Sequence, residues 1–221
     1  KTYKRPFMNR LMRGVLAQIL PYPARFRVAL QLAKLGRPFA PLFRKSERLK
    51  PVAAMLDLAP KTLPAKQPIE ALSKATGEKR GRVAILNGCA QPVLNPGINA
   101  ATLRLLNRIG IEVIAPKGEG CCGSLVHHMG REEQALDHAR HNVDVWTREI
   151  EAGGLDAIIV TTSGCGTTIK DYGFMLRLDP AYKDKAAKVS ALAKDVTEYL
   201  TSIDMPQPSQ PANLTVAYHS A

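Results

Sequence analysis

Cys89, the adjacent pair Cys121-Cys122 and Cys165 are the only cysteines of this 221-residue chain, and 31 and 42 residues separate the three groups. Each group follows a glycine: Gly88-Cys89, Gly120-Cys121-Cys122-Gly123 and Gly164-Cys165-Gly166. Thiolates are soft ligands suited to zinc, copper(I) and iron-sulfur clusters, and four of them match the ligand count of a [4Fe-4S] cluster. A structural zinc site usually takes two close ligand pairs, which this chain lacks. Adjacent side chains diverge, so a Cys-Cys pair is awkward for one ion and suits a polynuclear cluster, where neighbouring thiolates reach different irons. Gly88, Gly120, Gly123, Gly164 and Gly166 fit that chemistry, because bare backbone can approach inorganic sulfide and its amides can donate to sulfur. Spacing alone leaves three alternatives open: zinc on four dispersed cysteines, a strained Cys121–Cys122 disulfide, and unliganded thiols.

Other candidates are weaker. His127-His128 could assist the cysteine pair, but such histidines more often face solvent or cap a helix. His138 and His141 are one helical turn apart without a zinc-protease motif around them, which places them on an exposed helix face. Gly118 and Gly120 do not form a G-x-G-x-x-G fingerprint, so neither flavin nor nicotinamide is expected here.

The elements that must position the cysteines follow from periodicity. From Arg82 onward short apolar runs alternate with helical stretches, the signature of βα units on a mainly parallel, Rossmann-like sheet with flanking helices. Strands are expected over 82–87, 112–115 and 157–161, and helices over 96–109, 131–152, from near Thr167, and over 181–201. All three cysteine groups then fall just after the carboxyl ends of strands, the edge where open α/β sheets bind ligands. A strand is expected again over 213–218.

Upstream, residues 1–80 form a basic helical, proline-broken linker with 18 Lys or Arg against four acids, while residues 81–221 hold 13 against 15. Phe7, Leu11, Val15, Leu16 and Ile19 recur at helical spacing with Arg5, Arg10 and Arg13 between them. Two helices packed on the rest of the protein with their arginines in water, or contact with an acidic partner or anionic lipid, would account for this. No recognised nucleic-acid module is present, so no nucleic-acid partner is expected. No secretory leader and no long uncharged apolar run appear, so the expected setting is cytoplasmic and reducing, where metal ligation is favoured over disulfides.

The segments Leu86-Asn87-Gly88-Cys89-Ala90-Gln91-Pro92, Gly120-Cys121-Cys122-Gly123-Ser124-Leu125 and Thr162-Ser163-Gly164-Cys165-Gly166 resemble the cysteine-rich CCG domain of heterodisulfide reductase and related iron-sulfur subunits. Within that group the chain is most similar to the glycolate oxidase iron-sulfur subunits, a likeness that includes the lead-in Ile19-Leu20-Pro21-Tyr22-Pro23-Ala24-Arg25-Phe26-Arg27 and covers nearly the whole chain. The resemblance implies a first CCG domain over 81–213, the first strand of a second one over 214–221, and a two-cluster ferredoxin-like domain before Lys1. It implies that Cys89, Cys121, Cys122 and Cys165 hold a [4Fe-4S] cluster, with the adjacent glycine amides around it. It also implies electron relay from a flavin-containing dehydrogenase subunit, which oxidises glycolate to glyoxylate, towards a quinone. A further subunit of the complex would take part, this protein would be cytoplasmic or peripheral at the inner face of the cytoplasmic membrane, and the isolated chain would be inactive. Iron-sulfur subunits of lactate or anaerobic glycerol-3-phosphate dehydrogenases share the motif, and a structural zinc or thiol interaction module is the reading from another class. One position departs from the fullest motif, which ends CxxC: Thr168 stands where its last cysteine would be, which favours relay over disulfide chemistry.

Overall fold

The computed structural model describes residues 5–203, 205, 210 and 213–217. Pro6 precedes helix α1 (Phe7–Ile19) and Pro23 opens α2 (Pro23–Gly36). Both prolines sit where a first helical turn has no amide bond to lose. Later prolines cut the linker into a 3-10 turn at Arg37–Phe39 and the helices α3 (Ala40–Arg44) and α4 (Lys50–Leu58). The linker is docked and not separate: Arg27 Nη1 donates to the Pro64 carbonyl at 2.9 Å, and Nη2 reaches the Pro92 carbonyl at 3.5 Å.

Helix α1 packs by its small side. Ala17 is buried against Val126 and Ala135, while Phe7, Leu11 and Val15 remain exposed, Phe7 at 69%. The expectation of a helix that hides its apolar stripe and leaves only arginines in water is thus met in part. Among the described residues, no helix is long and apolar enough to cross a membrane.

The cysteine-bearing half is built on a five-stranded sheet. In chain order come β1 (Leu72–Ser73), β2 (Gly81–Ile85), α5 (Gln91–Leu94), α6 (Gly97–Arg108) and β3 (Ile111–Ile114). These are followed by α7 (Ser124–His128), α8 (Glu132–Gly153), β4 (Ala157–Val160), α9 (Ser163–Lys170) and α10 (Tyr172–Met175). Helix α11 (Lys183–Leu192), β5 (Ala193–Asp195) and α12 (Val196–Ser202) complete it. Spatial order is β1-β3-β2-β4-β5, parallel throughout except for β1, which runs antiparallel to β3.

Alternate residues of each strand face opposite layers, so both faces must be apolar and covered. Ala84, Ile158 and Val160 pack with Trp146, Ile169 and Val189 on one side. Val83, Ile85, Ala157 and Ile159 pack with Leu106 and Tyr199 on the other. Helices α8, α9 and α11 therefore cover one face, and α6 and α12 the other.

Three expectations are corrected. Helix α9 begins at Ser163, not near Thr167, so Cys165 lies in its first turn. The region 181–201 is two helices interrupted by β5, with Asp195 capping α12 through a reciprocal box with Glu198. Residues 213–217 carry no strand, and the last residue of that expected strand, Tyr218, lies outside the described residues, as do 219–221.

Candidate functional site

Strand β2 has β3 on one side and β4 on the other. The chain leaves β2 in one direction and later returns to its opposite flank, which makes the carboxyl end of β2 a switch point of the kind where α/β sheets form a ligand crevice. Cys89 follows β2, Cys121 and Cys122 follow β3, and Cys165 opens the helix after β4. Segments far apart in sequence thus meet at one edge because three parallel strands end there.

The four thiols form one connected row. The Cys89 side chain interacts with Cys121, Cys121 with Cys122, and Cys122 with Cys165. Cys121 and Cys122 are buried, while Cys89 and Cys165 are partly accessible. A small cavity lined by Leu86, Gly88, Cys89, Thr162 and Cys165 opens beside the outer pair.

Crowded thiols resist ionisation. The hydrogen bond with Cys122, followed by burial, pushes the Cys121 thiol up to about 11, although its contact with Cys89 works in the opposite direction. For Cys122 the bond with Cys121 favours the thiolate, but the bond with Cys165 and burial outweigh it, and the group is pushed up to about 12. Cys89 is raised further, by its bond with Cys121 and then by burial. Cations that bind sulfur replace these protons, and ligation relieves the crowding.

The amides that reach sulfur are only partly the expected ones. Those of Ala90, Gly123 and Ser124 bond to Cys89, Cys121 and Cys122 respectively. Gly88 instead donates to the Glu119 carboxylate, Gly120 to Asn142 Oδ1 at 2.9 Å, and Gly166 to the Thr162 carbonyl at 3.0 Å. No described bond of this kind involves Gly164. Of the five glycines singled out, Gly123 alone donates to a cysteine sulfur among these bonds.

Gly123 is also a conformational requirement. Its φ is +83°, and an added Cβ would stand 3.1 Å from the Ala135 carbonyl and 3.2 Å from His138 Cβ. Gly123→Ala should therefore cost about 1–3 kcal/mol through left-handed strain and crowding against α8. Urea unfolding of the two proteins side by side checks this, and an unchanged midpoint would refute it.

Three polar ties that sequence reasoning missed hold the loops. Asn142, fully buried on α8, accepts from Gly120 and donates to the Cys121 carbonyl at 3.1 Å and to Tyr172 Oη at 3.3 Å. The Tyr172 hydroxyl, fully buried as well, donates to the Cys122 carbonyl at 2.8 Å. Gln91 bridges the other two loops: Oε1 accepts from Thr161 at 3.0 Å and from Thr162 at 2.8 Å. Gln91 Nε2 also bonds to buried Asn99, whose amide donates to the Leu86 and Asn87 carbonyls. The sequence signal for these was faint, namely a polar residue on an otherwise apolar helix face.

Thr168 is buried, and its hydroxyl donates to the Gly164 carbonyl at 3.0 Å, a bond within α9. His127 and His128 are exposed as expected and line a cavity of about 430 Å³ with Gly164, Thr168 and Phe174. His138 differs from expectation: it is half-buried, its Nε2 has no hydrogen-bond partner, and burial lowers its pKa. His141 does lie at the surface, 2.5 Å from the Gly118 carbonyl.

Among the described residues, no three His, Cys, Asp or Glu side chains converge as they would on a single metal ion. Cluster ligands each bind a different iron and need no such common point. Four sulfur donors in one row, three of them with amide donors, fit a thiolate-held cluster.

Residues 83–170 match the family described as the CCG cysteine-rich domain. The match starts in β2 and ends with α9, so it contains all four cysteines. The chain as a whole is 39% identical over 216 residues to the glycolate oxidase iron-sulfur subunit of Escherichia coli strain K12, covering 98% of this chain and 49% of that protein. It is 29% identical over 199 residues to the probable glycolate oxidase iron-sulfur subunit of Bacillus subtilis strain 168, covering 86% and 44%. It is also 27% identical over 123 residues to lactate utilization protein A of the same organism, covering 55% and 49%. The chain thus spans about half the length of these curated relatives. No solved structure matches the chain. The linker before the CCG domain falls within the Escherichia coli alignment, so that likeness extends beyond the cysteine motif.

Proposed function

We propose that this chain is part of the iron-sulfur subunit of a glycolate-oxidising complex, and that Cys89, Cys121, Cys122 and Cys165 hold a [4Fe-4S] cluster in its CCG domain. The observation that carries the reading is the single row of four thiols at the carboxyl edge of the sheet. When bound, the cluster supplies one-electron transfer. The protein's own part is to present four sulfurs, to bring the amides of Ala90, Gly123 and Ser124 to them, and to keep Cys121 and Cys122 out of water. Cys89 and Cys165, partly accessible, form the side on which electrons enter or leave. Substrate oxidation belongs to a separate flavin-containing subunit, a further subunit completes the complex, and the clusters of this subunit pass electrons towards a quinone. The isolated chain does not turn over glycolate. The exposed apolar residues of α1, flanked by arginine, support docking at a partner or at a membrane surface, and the complex is cytoplasmic or peripheral at the inner membrane face.

Likeness to lactate utilization protein A supports a second reading, in which the same relay serves lactate oxidation. Iron and acid-labile sulfide analysis of anaerobically purified protein tests the cofactor: about four of each per chain are expected, and zinc without sulfide refutes it. Assay of the assembled complex with glycolate, lactate and glycerol 3-phosphate tests the substrate. Cluster reduction by lactate alone would replace the first reading with the second.

A further inference from the structure

Glu119 is a carboxylate turned inward at the cysteine edge. It lies between Gly118, at φ +90°, and Gly120, two residues before Cys121. Its carboxylate accepts hydrogen bonds from the backbone N–H groups of Asn87 and Gly88. Gly88 has φ +77°, so the two successive amides form a concave nest, an arrangement suited to an anionic oxygen. The second oxygen, Oε2, is buried without any partner. A fold seldom keeps an acceptor in that condition, because an unpaired buried oxygen opposes stability. The turn that ends in Cys89 is therefore held by a residue from the loop that begins the Cys121-Cys122 pair. Cys89 and Cys121 then meet sulfur to sulfur.

We infer that Glu119 is a positioning residue that seats the Asn87–Gly88 nest and thereby sets the Cys89 sulfur against the Cys121-Cys122 pair before a cluster is bound. This rests on the proposal that these cysteines hold a cluster. It also accounts for the Gly88 amide, which serves the carboxylate and is not directed at sulfur. A side chain of glutamate length with one acceptor oxygen is sufficient for the role, whereas a shorter one does not reach the nest.

The test compares wild type, Glu119→Gln, Glu119→Asp and Glu119→Ala in the full chain. In cluster-free protein, amide exchange at Asn87 and Gly88 should quicken by about tenfold in the Ala and Asp variants and stay near wild type in the Gln variant. Cluster loss on exposure to a chelator, followed by visible absorbance, should quicken in the same two variants and be restored by Gln. Unchanged exchange at both amides in Glu119→Ala overturns the inference, as does Gln behaving like Ala in both measurements. Wild type that binds no cluster would refute the cofactor proposal alone, since the exchange measurement requires none.

Discussion

Replacing Cys122 by serine should leave the purified protein with less than about a tenth of the wild-type iron and acid-labile sulfide. Cys122 is 2% exposed and stands inside the row, in contact with both Cys121 and Cys165. A serine hydroxyl is a harder donor and scarcely ionises, so it is a poor substitute for a soft thiolate. The change should spare the overall fold, because serine is close to cysteine in size and the Cys122 carbonyl, held by Tyr172, is untouched. Circular dichroism should therefore be unaltered while the cluster absorbance disappears. A serine variant that retains full iron and sulfide would show that Cys122 is not a ligand.

Asn142→Ala should destabilise the cluster-free protein by about 3 kcal/mol, because it removes three hydrogen bonds at once, two of them buried. The Gly120 amide, the Cys121 carbonyl and the Tyr172 hydroxyl all lose the same side chain. Asn142→Asp should be no milder: one oxygen can still accept from Gly120, but the other faces the Cys121 carbonyl, acceptor against acceptor. Urea unfolding under reducing conditions reads both values. A loss well below about 1 kcal/mol would mean that water replaces the amide and that the tie is dispensable.

The chemistry was more legible in the sequence than the way the site is built. Cysteine type, count and spacing pointed to the sheet edge because the apolar runs around Val83, Val113 and Ile158 were plain strands. Strand β5 escaped notice because Ala193-Lys194-Asp195 is short and polar and lies inside a helical pattern. Helix α9 begins earlier than its sequence suggests because Ser163-Gly164-Cys165-Gly166 has the composition of a loop. Tertiary context overrides that weak propensity: Gly166 is buried, and a Cβ there would come within 3.9 Å of Val160. Glu119, Asn142 and Gln91 were invisible for another reason. A residue that ties two loops carries no local pattern, and its role exists only once β2, β3 and β4 are side by side.

That side-by-side arrangement has a consequence for folding. Cys89 and Cys165 hang from strands whose pairing is Val83 with Ala157, Ala84 with Ile158 and Ile85 with Ile159. A slip of one residue would move one strand end by roughly 3.3 Å and invert its faces. The row of sulfurs would then be broken. On the proposed ligation, a cluster that requires all four thiols would be captured only by correctly paired strands, so loading would proofread strand register.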